Sequence, residues 1–160
     1  MTVTIRKAES RDAALVLAFI RELAAYERLA HEVVATEADI AEALFGPRPR
    51  VFADIAAWSG EPVGFALWFY NFSTFRGRHG IYLEDLYVRP ELRSRGIGKA
   101  LLRHLAQRCV AEGLPRLEWW VLDWNEPALR FYRSIGAVPM AEWTVQRVTG
   151  DHLRKLAEAP

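Results

Sequence analysis

Glu84 and Asp85 stand side by side in "IYLEDLYV", and the chain then runs on as "RPELRSRGIGKALL". Paired carboxylates can hold an ammonium group by charge or take a proton from it. A few residues later Arg93, Arg95 and Lys99 surround Gly96 and Gly98, where an apolar helix begins. The opening turn of a helix has N–H groups without intrahelical partners and the positive end of the helix dipole. Glycines there let an anion approach the backbone. Each glycine costs about 0.5–1 kcal/mol in a helix relative to alanine. An anion at a helix N-terminus recovers about 0.3–1 kcal/mol, up to roughly 2 when partly buried. The stretch therefore reads either as a basic surface turn or as a seat for a phosphorylated ligand.

Two rival phosphate motifs fail. A P-loop needs glycine at position 93 and Ser or Thr at 100, where the chain has Arg93 and Ala100. A dinucleotide fingerprint needs a third glycine where Leu101 stands, and a chain that opens with strand–helix–strand. His31, His79, His104 and His152 are scattered without H-E-x-x-H spacing, and no G-x-S-x-G elbow occurs, so no metal site is expected. Tyr132 is the remaining polar candidate. It follows Asn125 by two helical turns, so both can share a face. It reads as a proton donor or as a core tyrosine with a satisfied hydroxyl. Phe131 and Ile135, four apart, can serve the core.

The elements that must position these groups are legible. "TVTIR" alternates like a strand. Ser10 can cap a helix with Ala14, Leu17, Ile20, Leu23 and Ala24 on one face, and a second short helix follows Thr36. "VFADIAAW" and "PVGFALWFYNF" read as a hairpin joined by "SGEP", and "HGIYLEDLYV" as a third strand. Ser94 to Gly113 is expected to be helical, with Ile97, Leu101, Leu105 and Cys109 on the core face. "RLEWWVL" is expected as a strand, followed by a helix capped at Asn125 and closed at Gly136. "EWTVQRV" is expected as a last strand and "DHLRKLA" as a terminal helix. A strand–helix–strand unit after antiparallel strands implies at least one parallel pair.

The 160 residues, 51% hydrophobic, suffice for one domain with a core. The net charge of +1 gives no global field for nucleic acid, and the six tryptophans fall mainly in expected strands. No apolar run approaches the roughly 18 residues of a membrane span. The N-terminus lacks the apolar core of a signal peptide. The single cysteine, Cys109, excludes an internal disulfide framework. A cytoplasmic protein is expected.

R-x-x-G-x-G after "LEDLYVRPE" resembles the acetyl-coenzyme A signature of the GNAT family of N-acetyltransferases. "LDWNEPALRFYRSIGA", "FIRELAAYE" and "EWTVQRV" are similar to its spermidine/spermine (diamine) and thialysine acetyltransferase branch, so the likeness runs nearly end to end. The resemblance implies an α/β (α+β) fold with a mixed, mostly antiparallel central sheet, helices on both faces and strands splayed at the acetyl-CoA site. One N-acetyltransferase domain would span 1–160.

For the cofactor, the resemblance implies that backbone groups of Leu86, Tyr87 and Val88 hold the pantetheine arm like an added strand. Arg93, Ser94, Arg95, Gly96, Ile97, Gly98 and Lys99 would wrap the diphosphate. Asn125, Glu126, Pro127, Ala128 and Tyr132 would touch the far side of the arm. Tyr132 would protonate the departing thiolate and Glu84, through a water, would act as base. For Glu84 and Asp85 the alternative is a carboxylate holding a backbone or Arg partner. A regular strand aims only one of two neighbours at a substrate. A lysine-like amine costs about 4.6 kcal/mol to deprotonate at pH 7, against about 2 kcal/mol for a leaving thiol, so the base side is the larger demand. The thioester is already activated, so neither metal nor covalent nucleophile is required. An N–H near Leu86 is the expected oxyanion donor.

Tyr26, Glu27, Asp85, Glu118, Trp119, Trp120 and Glu142 are the remaining candidates for the amine side. Tyr26 and Glu27 are equally readable as a solvated helix end. Polyamine-using members carry extra acids before the LED strand, where this chain has "NFSTFRGRHG". Arg76 or Arg78 would repel a polycation or bind an acceptor carboxylate, which favours a small amine of thialysine type. The resemblance also implies a homodimer. A protein amino-group acetyltransferase and a non-catalytic coenzyme A sensor are the alternatives.

Overall fold

The computed structural model describes residues 2–159. The chain divides into two compact units, Met1–Leu122 and Asp123–Pro160.

The first unit is built on a five-stranded sheet in the order β1-β2-β3-β4-β5. Its strands are β1 (Val3–Lys7), β2 (Phe52–Trp58), β3 (Glu61–Ser73), β4 (Arg78–Val88) and β5 (Leu117–Trp119). The first three pairings are antiparallel and β4–β5 is parallel, the pair that the strand–helix–strand order requires. The β2–β3 hairpin closes through Ser59 and Gly60, with φ of 51° and 88°. Two successive positive φ values make the two-residue turn whose twist matches paired strands.

Helices α1 (Ala13–Tyr26) and α2 (Glu37–Phe45) cover one face, and α3 (Ile97–Glu112) covers the other. Val16, Phe19, Leu23 and Leu44 pack on Ala53, Ile55, Phe65, Leu67 and Tyr87. On the α3 face, Ile97, Leu101, Leu105 and Cys109 are buried as their spacing predicts. Thr36 caps α2 by a reciprocal bond with Asp39, as expected.

In the first unit four expectations need correction in detail. Ser10 does not cap α1. It opens a 3-10 turn, and the Asp12 carboxylate there accepts from Glu9 N at 2.7 Å and from Arg6. The buried stripe of α1 is rotated toward Val16 and Phe19, leaving Ala14 exposed. Residues 94–96 are a turn, and α3 begins only at Ile97, because Ser94 and Gly96 are left-handed (φ 61° and 79°). The strand expected over "RLEWWVL" pairs only at Leu117–Trp119.

In the second unit, α4 (Glu126–Ser134) and α5 (Gly150–Glu158) are the expected helices. Asn125 caps α4 by accepting from Ala128 N at 3.4 Å, with Pro127 in the first turn. Gly136 (φ 87°) closes α4, with Gly136 N bonded to Arg133 O and Ala137 N to Tyr132 O. The segment "EWTVQRV" is not a strand. Among the described residues no ladder pairs with it, and alternation without a neighbouring strand leaves backbone groups to water.

Candidate active site

The decisive local feature of β4 is a bulge. Leu67 pairs with Asp85 and Trp68 with Leu83, so Glu84 is an extra residue with no partner of its own on β3. An extra residue reverses the side on which all later residues point. Leu83 lies opposite Trp68 on the α3 face, whereas Asp85 lies opposite Leu67 on the α1 face. Tyr82, opposite Phe69, is also on the α1 face. The strand is not regular at Glu84–Asp85, so the rule that only one of two neighbours faces a substrate does not apply there.

The ladder between β4 and β5 ends at Leu83–Trp119. Among the described residues β4 pairs from Asp85 onward with β3 alone, so Leu86, Tyr87 and Val88 lie on a stretch without a β5 partner.

Three acids meet beside the bulge. The Asp85 carboxyl is pushed up to about 7, by burial first, then by the charges of Glu84 and Glu27. Burial also raises the Glu27 carboxyl. Glu84 itself is exposed. Glu27 follows the last turn of α1, which ends with Arg28 in the left-handed region (φ 61°), Arg28 N on Ala25 O and Leu29 N on Ala24 O. That closure fixes Tyr26 and Glu27 as one turn.

Tyr82, which sequence reasoning missed, stands among these acids. Its hydroxyl is pushed far up by burial, then by Glu84, Glu118 and Asp85. Its ring packs on Phe69 at 5.0 Å and meets Trp120 edge-on at 5.8 Å. Trp120 is exposed, and Trp119 ends β5. Glu118 is less available than expected: Arg116 Nε lies 2.7 Å from its carboxylate and Asn71 donates to it at 3.0 Å. Arg78 lies six residues along β4 from Glu84, about 20 Å of strand. That exceeds the roughly 7 Å between the ends of a lysine-sized acceptor.

Beyond Val88 the chain passes through a 3-10 turn at Pro90–Leu92 into the glycine turn. The first intrahelical bond of α3 is Ala100 N to Gly96 O at 2.9 Å. The amides of Ile97, Gly98 and Lys99 precede that ladder and are free in the sense of a helix N-terminus. Ile97 is buried and anchors the turn. Gly96 requires its left-handed conformation, but Gly98 does not. A Cβ at Gly98 would meet only Val88 Cγ2, at 4.0 Å. The fold thus has no need of glycine at 98, and the missing methyl leaves room above the helix N-terminus. The residues fit a diphosphate: Lys99 and Arg95 are exposed beside this opening, with Arg95 over the Trp58 ring at 5.7 Å. Arg93 differs. Its Nε donates to Val88 O at 3.0 Å and its guanidinium lies 4.3 Å from the Tyr26 ring centre.

Asn125, Glu126, Pro127, Ala128, Tyr132 and Glu142 belong to the second unit. There the Asn125 cap orders the first turn of α4, Glu126 meets Arg133 at 3.5 Å, and Tyr132 packs on Phe131 at 5.5 Å. Glu142 is exposed on the turn after Met140.

A mixed sheet with a bulged acidic strand leading into a glycine turn at a helix N-terminus agrees with the expectation of an acyltransferase that takes a nucleotide-linked thioester. The comparisons give the family. Residues 16–137 match the model of the Acetyltransferase (GNAT) family. The chain is 38% identical to thialysine N-epsilon-acetyltransferase of Bos taurus, over 97% of each chain. It is 31% identical to an L-ornithine N5-acetyltransferase of Arabidopsis thaliana, over 95% of this chain and 86% of that one. Among solved structures, an integron cassette protein from the mobile metagenome of V. cholerae superposes with a TM-score of 0.82 at 29% identity, covering 99% of both chains. The chain belongs to the GNAT family and is an N-acetyltransferase; acetyltransferases of this family use acetyl-CoA. Among the described residues, no helix is long and apolar enough to cross a membrane.

Proposed function

We propose that residues 1–160 form one N-acetyltransferase domain that moves an acetyl group from acetyl-CoA to the primary amine of a small molecule, a thialysine-like amino acid or a diamine. The bulge at Glu84 carries this reading, because it places two carboxyls at the point where β4 loses its second neighbour. Relatives named for thialysine and ornithine, similar over nearly the whole chain, support the small-amine class.

Acetyl-CoA, when bound, supplies an acyl group already activated as a thioester. Ser94, Arg95, Gly96, Ile97, Gly98 and Lys99 hold its diphosphate by backbone amides and charge. The backbone of Leu86, Tyr87 and Val88 holds the arm, and Asn125, Glu126, Pro127 and Ala128 are its further contacts by motif match. Glu84, through a water, takes the proton from the ammonium group. Glu27 keeps negative charge beside it, Asp85 adds charge only as the pH rises past about 7, and Phe69, Tyr82, Trp119 and Trp120 wall the acceptor. Tyr132 Oη donates the proton that the departing sulfur needs. The protein acts as a cytoplasmic homodimer with no metal.

Glu118 is occupied by Arg116 and Asn71, and no acid stands in "NFSTFRGRHG", so a second distant ammonium finds little free charge. The amine is therefore short. Side-by-side turnover of thialysine, lysine, ornithine, putrescine and spermidine tests this; a clear preference for spermidine refutes it.

A further inference from the structure

Arg93 opens the glycine turn, where a phosphate anchor is expected, yet its guanidinium is already engaged inside the protein. Its Nε donates to the carbonyl oxygen of Val88 at 3.0 Å. Its guanidinium carbon lies 4.3 Å from the Tyr26 ring centre and 5.7 Å from that of Tyr87. Val88 ends β4, and Tyr26 ends α1 directly before Glu27.

We propose that Arg93 is a positioning residue that fastens the last turn of α1 to the end of β4, and that it sets affinity for the amine rather than for the diphosphate. This rests on the reading of Glu84, Asp85 and Glu27 as the amine side of the site.

A guanidinium presents an edge and a face together. Arg93 gives Nε to a backbone carbonyl and sets its guanidinium carbon over an aromatic ring, so one side chain joins two elements. Lysine has a compact ammonium and cannot do both. The bidentate grip that makes arginine a strong phosphate ligand uses two parallel N–H groups. With Nε bound to Val88 O, the edge that includes Nε is spent. Arg95 and Lys99, both exposed, keep their charges for an anion. On α1, the closure at Arg28 makes Tyr26 and Glu27 move as one turn. The preceding fastening of α1 to the end of β4 lies a turn earlier, where Arg89 meets Glu22 at 3.1 Å. Loosening the Arg93–Tyr26 contact therefore weakens the hold on Glu27 beside Asp85, while Arg95 and Lys99 in the cofactor turn are untouched.

The test is a double-mutant cycle of Arg93→Lys and Tyr26→Leu. It reads steady-state kinetics with acetyl-CoA and thialysine, and acetyl-CoA affinity by calorimetry. Each single substitution is expected to raise the thialysine KM about tenfold, within the range of a partly desolvated cation–π contact. The kcat should change far less, and acetyl-CoA affinity should stay within about twofold, since both remaining cations are untouched. The double variant should be no worse than the worse single variant, because both remove the same contact. Tyr26→Phe, which keeps a ring, should fall between Tyr26→Leu and the parent. Should Arg93→Lys fail to fold, the Tyr26 pair reads the same KM. A tenfold loss of acetyl-CoA affinity with an unchanged thialysine KM overturns the inference, as do single effects that multiply in the double variant. Parent protein that binds no acetyl-CoA overturns the underlying reading, and this inference with it.

Discussion

Replacing Asp85 by asparagine should stabilise the protein at alkaline pH and leave it nearly unchanged at pH 4.5. The native carboxyl holds its proton up to about 7, against 3.8 in the unfolded chain. Between those values the native state binds more protons than the unfolded state. Stability therefore falls as pH rises, by about 1.4 kcal/mol per pH unit for one group. Across the window from 3.8 to about 7 this amounts to about 4 kcal/mol. The cost arises because burial, Glu84 and Glu27 all oppose the charge. Asparagine keeps the shape and carries no charge, so it lacks this slope. Titrating groups that are not coupled to Asp85 act alike in both proteins and cancel in the difference, and relief of Glu84 and Glu27 in the variant acts in the same direction. Urea unfolding at pH 4.5 and 8.0 should give a variant advantage that grows by about 3–4 kcal/mol, or about 10 °C in Tm for a chain of this size. Turnover should fall in the same variant. A stability difference that stays constant between pH 4.5 and 8.0 would refute the placement of Asp85 beside two other acids.

Gly98→Ala should raise stability by up to about 0.5–1 kcal/mol, since a helical residue prefers alanine to glycine even in the first turn and the added Cβ meets only Val88 Cγ2 at 4.0 Å. The same change should weaken acetyl-CoA binding in calorimetry, and unchanged affinity would remove position 98 from the cofactor seat. Tyr132→Phe should lower kcat strongly while acetyl-CoA affinity holds; an unchanged kcat would exclude Tyr132 as the acid. Asp12→Asn should cost about 2 kcal/mol in urea unfolding, because Arg6 donates to its carboxylate twice, at 2.7 and 2.9 Å. The Asp12 carboxyl is held below its usual value, chiefly by the Arg6 hydrogen bonds, so its contribution is present above about pH 4 and is lost as pH falls through its lowered native value. A melting temperature that is flat in acid would contradict that.

The sheet, its helices and the parallel β4–β5 pair were legible because each rests on local periodicity or element order. The α3 face followed from Ile97, Leu101, Leu105 and Cys109, and α4 from Asn125 and Gly136. The bulge left a trace that a single alternation reading passes over. Apolar residues fall at Ile81 and Leu83 and then at Leu86 and Val88, a break in phase that an extra residue at Glu84 explains. Tyr82 gave no signal, since its role comes from Phe69 and Glu118 on neighbouring strands. The motif position of Arg93 is local and so legible, whereas its contact with Tyr26, distant in sequence, is not. "EWTVQRV" alternates well enough, but a strand also needs a neighbour, and alternation does not supply one.

The account depends first on the cofactor seat at the β4–α3 turn. Calorimetric titration of acetyl-CoA into the protein tests it directly. Saturable binding that weakens with added salt is expected, because exposed Arg95 and Lys99 contribute charge there. No detectable binding, or binding indifferent to salt, would contradict it.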